Sequence, residues 1–224
     1  MLLFLHGALF DHTQFDSVRA RLDRVATLAI DFNGHGKTPR ARALRIENLV
    51  EDVERDMDRL GLGQVSIFGY SMGGYVALML ALRLPQRVNR VMTLGTKIDW
   101  SPAYAARETS RLDAVTIRSK VPHFARQLEQ LHTGAGWQQL LADTAEMMQA
   151  LGDAPPLDDE QFAKFSCPVR LAVGDRDTSV TVEETRAAQL RIPGAQLEVF
   201  PGTPHPFDRV DVDRLTHSIL GFFG

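Results

Sequence analysis

The sequence predicts an α/β protein: a mostly parallel sheet of about six strands with helices on both faces, carrying a small helical cap. Three observations predict it. Short apolar runs alternate with longer amphipathic stretches, the pattern of strands joined by crossover helices. Most of the apolar runs lack polar alternation, as strands buried on both faces do. Between Leu94 and Cys167 about 70 residues carry helical patterns and no convincing strand.

The expected strands are Leu2–Leu5, Val25–Ile30, Val65–Phe68, Arg90–Leu94, Val169–Val173 and Gln196–Phe200. Ile46, Leu49, Val50, Val53, Met57 and Leu60 recur at helical spacing, with Gly61 as a stop. The stretch from about Met72 to Leu84 is nearly all apolar apart from Arg83, so it reads as a helix packed in the core and closed by Pro85. A last amphipathic helix runs from about Val210 to Phe222. In the strandless region, Ser101-Pro102, Gly134-Ala135-Gly136 and Asp153-Ala154-Pro155-Pro156 punctuate roughly three helices. One crossover needs one helix, so the surplus reads as a cap over one end of the sheet. The expected division is a core of 1–100 and 166–224 with a cap insertion at 101–165.

A chain of 224 residues with 44% hydrophobic and 24% charged side chains is long enough for one packed domain. A net charge of −3 without a basic tract offers nothing to draw nucleic acid or an anionic membrane. No apolar stretch reaches the roughly 18 residues that suggest a membrane span. The opening Met1–Leu5 run has no basic leader and is broken by His6-Gly7, so it reads as a buried strand. The single cysteine, Cys167, precludes an internal disulfide and fits a reducing compartment, which makes the cytoplasm the expected location. Beside Pro168 it reads as a small core residue. No metal-ligating motif and no cofactor motif is present, and the expected partner is a small-molecule substrate.

Gly69-Tyr70-Ser71-Met72-Gly73 follows the third strand and opens the apolar helix. A G-x-S-x-G motif in that setting makes a strand-to-helix turn so sharp that the serine hydroxyl is raised above the sheet. Glycines flank it because a Cβ there would collide with the neighbouring strand and helix. Ser71 also stands at a helix N-terminus, where unpaired N–H groups favour negative charge, so the Met72 N–H is placed to stabilise an oxyanion. His6-Gly7-Ala8 at the end of the first strand offers a second N–H, that of Ala8.

A serine hydroxyl needs a base, and histidine is the usual one at neutral pH. His205 lies in Pro201-Gly202-Thr203-Pro204-His205-Pro206-Phe207, a stiff loop after the last strand, at the same sheet edge as Ser71. The carboxylate that orients it should follow the preceding strand, where Gly174-Asp175-Arg176-Asp177 offers two. Asp177 is preferred because Asp175 follows Gly174 directly and can serve the turn. Asp99, after the fourth strand, is held in reserve.

These residues resemble the α/β-hydrolase family. His6-Gly7, Asp31-Phe32-Asn33-Gly34-His35-Gly36, the Ser71 elbow, and Gly174-x-x-Asp177 with His205 occur in the family's order, over nearly the whole chain. The resemblance implies a Ser71–His205–Asp177 triad and makes the Asp31–Gly36 segment scaffold, so His35 is not the base. It also implies a spatial strand order of second, first, third, fourth, fifth, sixth. Family members usually carry two further strands before the His-Gly strand, which Met1 opens directly here.

The implied chemistry is hydrolysis of a small carboxylic ester or thioester through an acyl-enzyme, with the Ala8 and Met72 N–H groups as oxyanion hole. Serine at the elbow disfavours the dehalogenase and epoxide-hydrolase branches, which use aspartate. A C–C bond hydrolase or a perhydrolase can employ the same triad, and a ligand-binding protein can retain the fold without catalysis. Expected pocket residues are Leu9, Tyr70, Trp100, Phe124, Trp137 and Met148, with Tyr104, Leu128 and Met147 among the other bulky cap side chains. His123 and His132 are expected to face solvent. Nothing in the sequence sets the oligomeric state.

Overall fold

The computed structural model describes residues 1–224. Strands β1 (Leu2–Leu5), β2 (Thr27–Ile30), β3 (Val65–Tyr70), β4 (Val88–Leu94), β5 (Val169–Gly174) and β6 (Gln196–Phe200) form one sheet in the order β2-β1-β3-β4-β5-β6, all pairs parallel. The helices are α1 (Asp16–Arg19), α2 (Ile46–Arg59), α3 (Met72–Arg83), α4 (Pro102–Thr109), α5 (Ala114–Lys120), α6 (Pro122–Leu131), α7 (Trp137–Asp153), α8 (Asp159–Phe162), α9 (Val182–Arg191) and α10 (Val212–Phe223).

Alternate strand residues feed two separate cores. Leu3, Leu5, Ile67, Val91 and Leu171 pack with α2, α3 and the helices between β4 and β5. Leu2, Phe4, Phe68, Met92 and Ala172 pack on the opposite face with Val18 of α1 and Leu215, Ile219 and Phe222 of α10. This is the period of two expected of a pleated strand, with both faces apolar because helices cover both. Burying each such Leu, Ile or Phe contributes roughly 1.5–3 kcal/mol. Strands β2 and β6 lie at the edges and are only half-buried, so those two runs do not have both faces covered.

Helix α2 buries the stripe Ile46, Leu49, Val50, Val53 and Met57. Helix α3 is buried along nearly its whole length, as its uniform apolarity requires. The region between β4 and β5 holds five helices rather than three. Asp113 accepts from the Thr116 N–H at 2.7 Å and so caps a new helix, and Pro122 at the first turn of α6 ends α5 at Val121. Both are local start signals within a stretch that otherwise reads as continuous helix. Helix α9 buries only Thr185 and Ala188, and α1 is a single turn, so neither announces itself by an apolar stripe. No helix is long and apolar enough to cross a membrane.

Because every strand is parallel, the segments that follow β1, β3, β4, β5 and β6 all emerge at one edge. Leu5 lies opposite Gly69, and Tyr70 opposite Leu94, which brings the His6–Ala8 turn, Ser71 and Gly95 side by side.

Candidate active site

Ser71 turns the chain from β3 into α3 with φ 52° and ψ −116°, one of two non-glycine residues at positive φ. Holding it there costs on the order of 1–3 kcal/mol, which the surrounding packing must supply. The backbone is fixed by the Ser71 N–H donating to the Leu94 carbonyl at 2.9 Å and by Thr96 Oγ1 donating to the Ser71 carbonyl at 3.1 Å. The glycines on either side are demanded by space. A Cβ on Gly69 would stand 2.5 Å from the Gly73 carbonyl oxygen, and one on Gly73 would overlap the Leu5 carbonyl.

His205 and Asp177 meet Ser71 from neighbouring loops. His205 Nε2 lies 3.4 Å from Ser71 Oγ, and His205 Nδ1 lies 2.7 Å from Asp177 Oδ2. A carboxylate can only accept, so Nδ1 carries the proton and Nε2 presents its lone pair to the serine. Asp177 is buried, and its other oxygen accepts from the Ser179 and Val180 N–H groups at 2.8 Å each. Three donors thus hold it in one orientation. Asp175 is exposed, and Asp99 pairs with Arg191 at 2.6 Å on the surface; neither bonds to His205. The Tyr70 hydroxyl donates to the His205 carbonyl, tying the histidine loop to the elbow. Burial pushes the Tyr70 phenol well above its usual range, so it stays a donor.

The Ala8 turn is pinned at three points. The Gly7 N–H donates to Gln14 Oε1 at 2.9 Å, His6 Nδ1–H donates to the Gly7 carbonyl at 2.8 Å, and the Leu9 carbonyl accepts from His132 Nε2–H at 3.0 Å. Leu9 is the other non-glycine residue at positive φ, 64°. Neither the Ala8 nor the Met72 N–H has an acceptor elsewhere in the protein, so both remain available beside Ser71.

His132 corrects an expectation: it is 1% exposed rather than solvent-facing. Its Nδ1 accepts from the Gly36 N–H at 3.0 Å while Nε2 holds Leu9, so this ring joins the helical region to both the Ala8 turn and the Asp31–Gly36 loop. Nothing in the local sequence marks it, because both partners lie about a hundred residues away. His35 is buried against the rings of His6 and His132, in keeping with a scaffold role. His123 is exposed, at the mouth of the cavity described next.

A cavity of about 580 Å³ opens over Ser71 and His205. Of the expected pocket residues, Leu9, Tyr70, Trp100, Phe124 and Met148 line it, together with Tyr104. Trp137 does not. It starts α7, is 2% exposed, and packs in the larger core with Arg118 over its ring, so its bulk serves the helical region itself. Leu128 is likewise wholly buried, and Met147 lines a smaller hollow beyond Ser71. Sequence reasoning missed Lys97, which lines both hollows, pairs with Glu184 at 2.6 Å and sits 3.8 Å from the Tyr104 ring centroid.

A strand–elbow–helix serine, a histidine after the last strand and a parallel sheet in this order define a class, and comparison with known proteins agrees. The alpha/beta hydrolase fold model matches residues 1–162, and the chain belongs to that family. It is 27% identical to the sn-1-specific diacylglycerol lipase ABHD11 of Mus musculus, across 91% of this chain and 74% of that protein. It is 25% identical to 3-oxoadipate enol-lactonase 1 of Acinetobacter baylyi, across 88% of this chain and 79% of the relative. Among solved structures, a thermophilic esterase from Thermogutta terrifontis superposes with a TM-score of 0.78 at 23% identity, over 99% of this chain and 88% of that one, which is a likeness of fold.

Proposed function

We propose that this protein is a serine esterase that cleaves a small carboxylic ester or thioester through an acyl-enzyme. The observation that carries the reading is the hydrogen-bonded line from Asp177 through His205 to Ser71 at the base of a cavity. Ser71 Oγ attacks the carbonyl carbon as its proton passes to His205 Nε2. The carbonyl oxygen becomes an oxyanion held by the Ala8 and Met72 N–H groups. The intermediate collapses, the bond to the leaving oxygen or sulfur breaks, and that atom takes the proton from His205. Water then attacks the acyl-enzyme with His205 again as base, releasing the carboxylic acid and restoring Ser71. Asp177 keeps the ring in the tautomer this cycle needs and stabilises the imidazolium. The 3.4 Å separation of Ser71 from His205 is looser than a working proton transfer and tightens once substrate is bound.

Residues 101–165 act as the cap that walls the cavity, supplying Tyr104, Phe124 and Met148 to it. Relatives named as an enol-lactonase and a diacylglycerol lipase support ester chemistry, and the lone unpaired cysteine supports work in the cytoplasm. The test is intact-mass labelling with a fluorophosphonate probe on wild type and Ser71→Ala, beside turnover of p-nitrophenyl acetate. One adduct and steady turnover for wild type, with neither for the variant, is the expected result. Turnover retained by Ser71→Ala removes Ser71 as nucleophile.

A further inference from the structure

Two hollows meet at Ser71. The larger, about 580 Å³, has His205, Pro206, Ser179 and Val180 on one side. The smaller, about 40 Å³, lies toward Met72 and is closed by Ile46, Tyr75, Met147 and Leu151. Ala8 and Ser71 line both, so the hollows communicate across the nucleophile.

Resting on the esterase reading above, we propose that the small hollow is the acyl chamber and the large one receives the leaving group, which makes the substrate a short, uncharged acyl ester of a bulky alcohol or thiol. The leaving atom must take a proton from His205 Nε2, so it must come within hydrogen-bond reach of that nitrogen. His205 lines the large hollow and has no part in the small one. The oxyanion is directed to the Ala8 and Met72 N–H groups, and the remaining substituent of the carbonyl carbon, the acyl chain, goes to the side away from His205.

Size then sets chain length. One water needs about 10–15 Å³ of such space, so the chamber takes about three non-hydrogen atoms beyond the carbonyl carbon. Its walls offer little give. Ile46, Tyr75, Met147 and Leu151 are each 5% exposed or less, and the Tyr75 hydroxyl is held by the Leu157 N–H at 3.4 Å. A longer chain must push aside close-packed side chains of the main core. Charge is excluded as well. The one charged residue on the chamber, Lys97, already has its ammonium 2.6 Å from a Glu184 oxygen and over the Tyr104 ring, so it has no free charge for an acyl carboxylate.

Two isomeric esters separate the sides cleanly: octyl acetate and ethyl octanoate have the same formula and opposite distributions of carbon. In a pH-stat assay the wild type is expected to hydrolyse octyl acetate at least about 100-fold faster in kcat/KM, because only its acyl group fits without overpacking. Leu151→Ala and Met147→Ala, each tested for a folded native state by thermal melt, are expected to narrow that ratio by raising the rate on the octanoate. Equal rates on the two isomers, or a preference for the octanoate, overturn the assignment and leave the esterase reading standing. If neither isomer is hydrolysed, probe labelling decides: a Ser71 adduct overturns the acyl assignment alone, and no adduct removes the esterase reading with it.

Discussion

His132 Nε2 stands 3.0 Å from the Leu9 carbonyl oxygen, and the same ring accepts the Gly36 N–H through Nδ1 at 3.0 Å. One side chain from the end of α6 therefore fixes the turn that carries the Ala8 N–H and the loop beside it. Replacing it by alanine leaves a buried carbonyl and a buried N–H unpaired, at about 1–3 kcal/mol each. His132→Ala is expected to lower unfolding free energy by about 2–5 kcal/mol. It should also cut kcat more than it changes KM for p-nitrophenyl acetate, since in the proposed mechanism the displaced N–H acts on the transition state. Urea unfolding and steady-state kinetics together check this; a lost stability with unchanged kcat would make His132 purely structural.

His6, His35 and His132 form a buried cluster in which burial disfavours the charged ring. His6 is pushed down to about 3, and His35 and His132 are also lowered, with neighbouring histidines adding to the effect for His6 and His35. In the unfolded chain each takes up a proton near its ordinary value of about 6.5. Below that pH the unfolded state binds more protons than the native state, so native stability is fully present above it and falls as pH drops toward the folded values. His6 and His35 each contribute a slope approaching about 1.4 kcal/mol per pH unit once pH is well below 6.5, and His132 adds in the same direction. Guanidinium unfolding at pH 7.5 and 5.0 should show the loss, and His35→Gln should make the slope shallower. A slope unchanged in that variant would mean His35 takes up its proton over the same pH range in the native state as in the unfolded chain.

The strands and the sharp turn at Ser71 are legible because their signals are local: the runs expected for β1 and β6 match the strands residue for residue, and a G-x-S-x-G motif between an apolar strand and an apolar helix admits few other structures. The preference for Asp177 over Asp175 also rests on a local signal, a residue directly after Gly174 being able to serve the turn, and it is Asp177 that bonds to His205. What escaped was non-local. His132 and Lys97 sit in stretches with no motif, and their roles come from Leu9, Gly36 and Glu184, which the chain returns only through the fold. Trp137 was misplaced for the converse reason: bulk marks a residue that must be buried, without saying whether in a pocket wall or a core.

Gly73 offers a test of the elbow's tightness that does not depend on chemistry. A Cβ there meets the Leu5 and His6 carbonyls, which belong to β1, an inner strand, and the turn beyond it and cannot move aside cheaply. Gly73→Ala is expected to cost more than about 3 kcal/mol or to prevent folding, beyond the usual range for single substitutions. Gly61→Ala is the control: it stands at φ 65° with nothing within 4 Å, so it should cost only about 1 kcal/mol through backbone strain. Thermal melts of the two rank them, and a Gly73→Ala protein as stable as Gly61→Ala would mean α3 can slide away from β1.

Asp177 and Asp175 differ in consequence because only one reaches the ring. Asp177→Asn replaces an acceptor by a group that can offer its N–H to Nδ1, which favours the tautomer with the proton on Nε2 and no lone pair for Ser71. We expect kcat on p-nitrophenyl acetate to fall by about 10⁴, with Asp175→Asn within a few-fold of wild type because its carboxylate faces solvent. The reverse ranking would move the orienting role to Asp175.

Tyr70 separates holding the histidine from being the histidine. Its hydroxyl is spent on the His205 carbonyl, its ring lies 5.6 Å from the imidazole and packs edge-on to Phe207, and it lines the cavity. Tyr70→Phe keeps the ring and removes the hydroxyl bond that helps tie the Pro204–Pro206 loop to the elbow. Stability should fall by about 1 kcal/mol, the net worth of one such part-buried bond. His205 then samples positions further from Ser71 Oγ, so kcat should drop about tenfold while KM, set by apolar walls that have not changed, stays within about twofold. Fluorophosphonate labelling of Ser71 should slow in proportion to kcat, since it draws on the same activated hydroxyl. A Tyr70→Phe protein with wild-type kcat and labelling rate would show that Asp177 alone suffices to hold the ring.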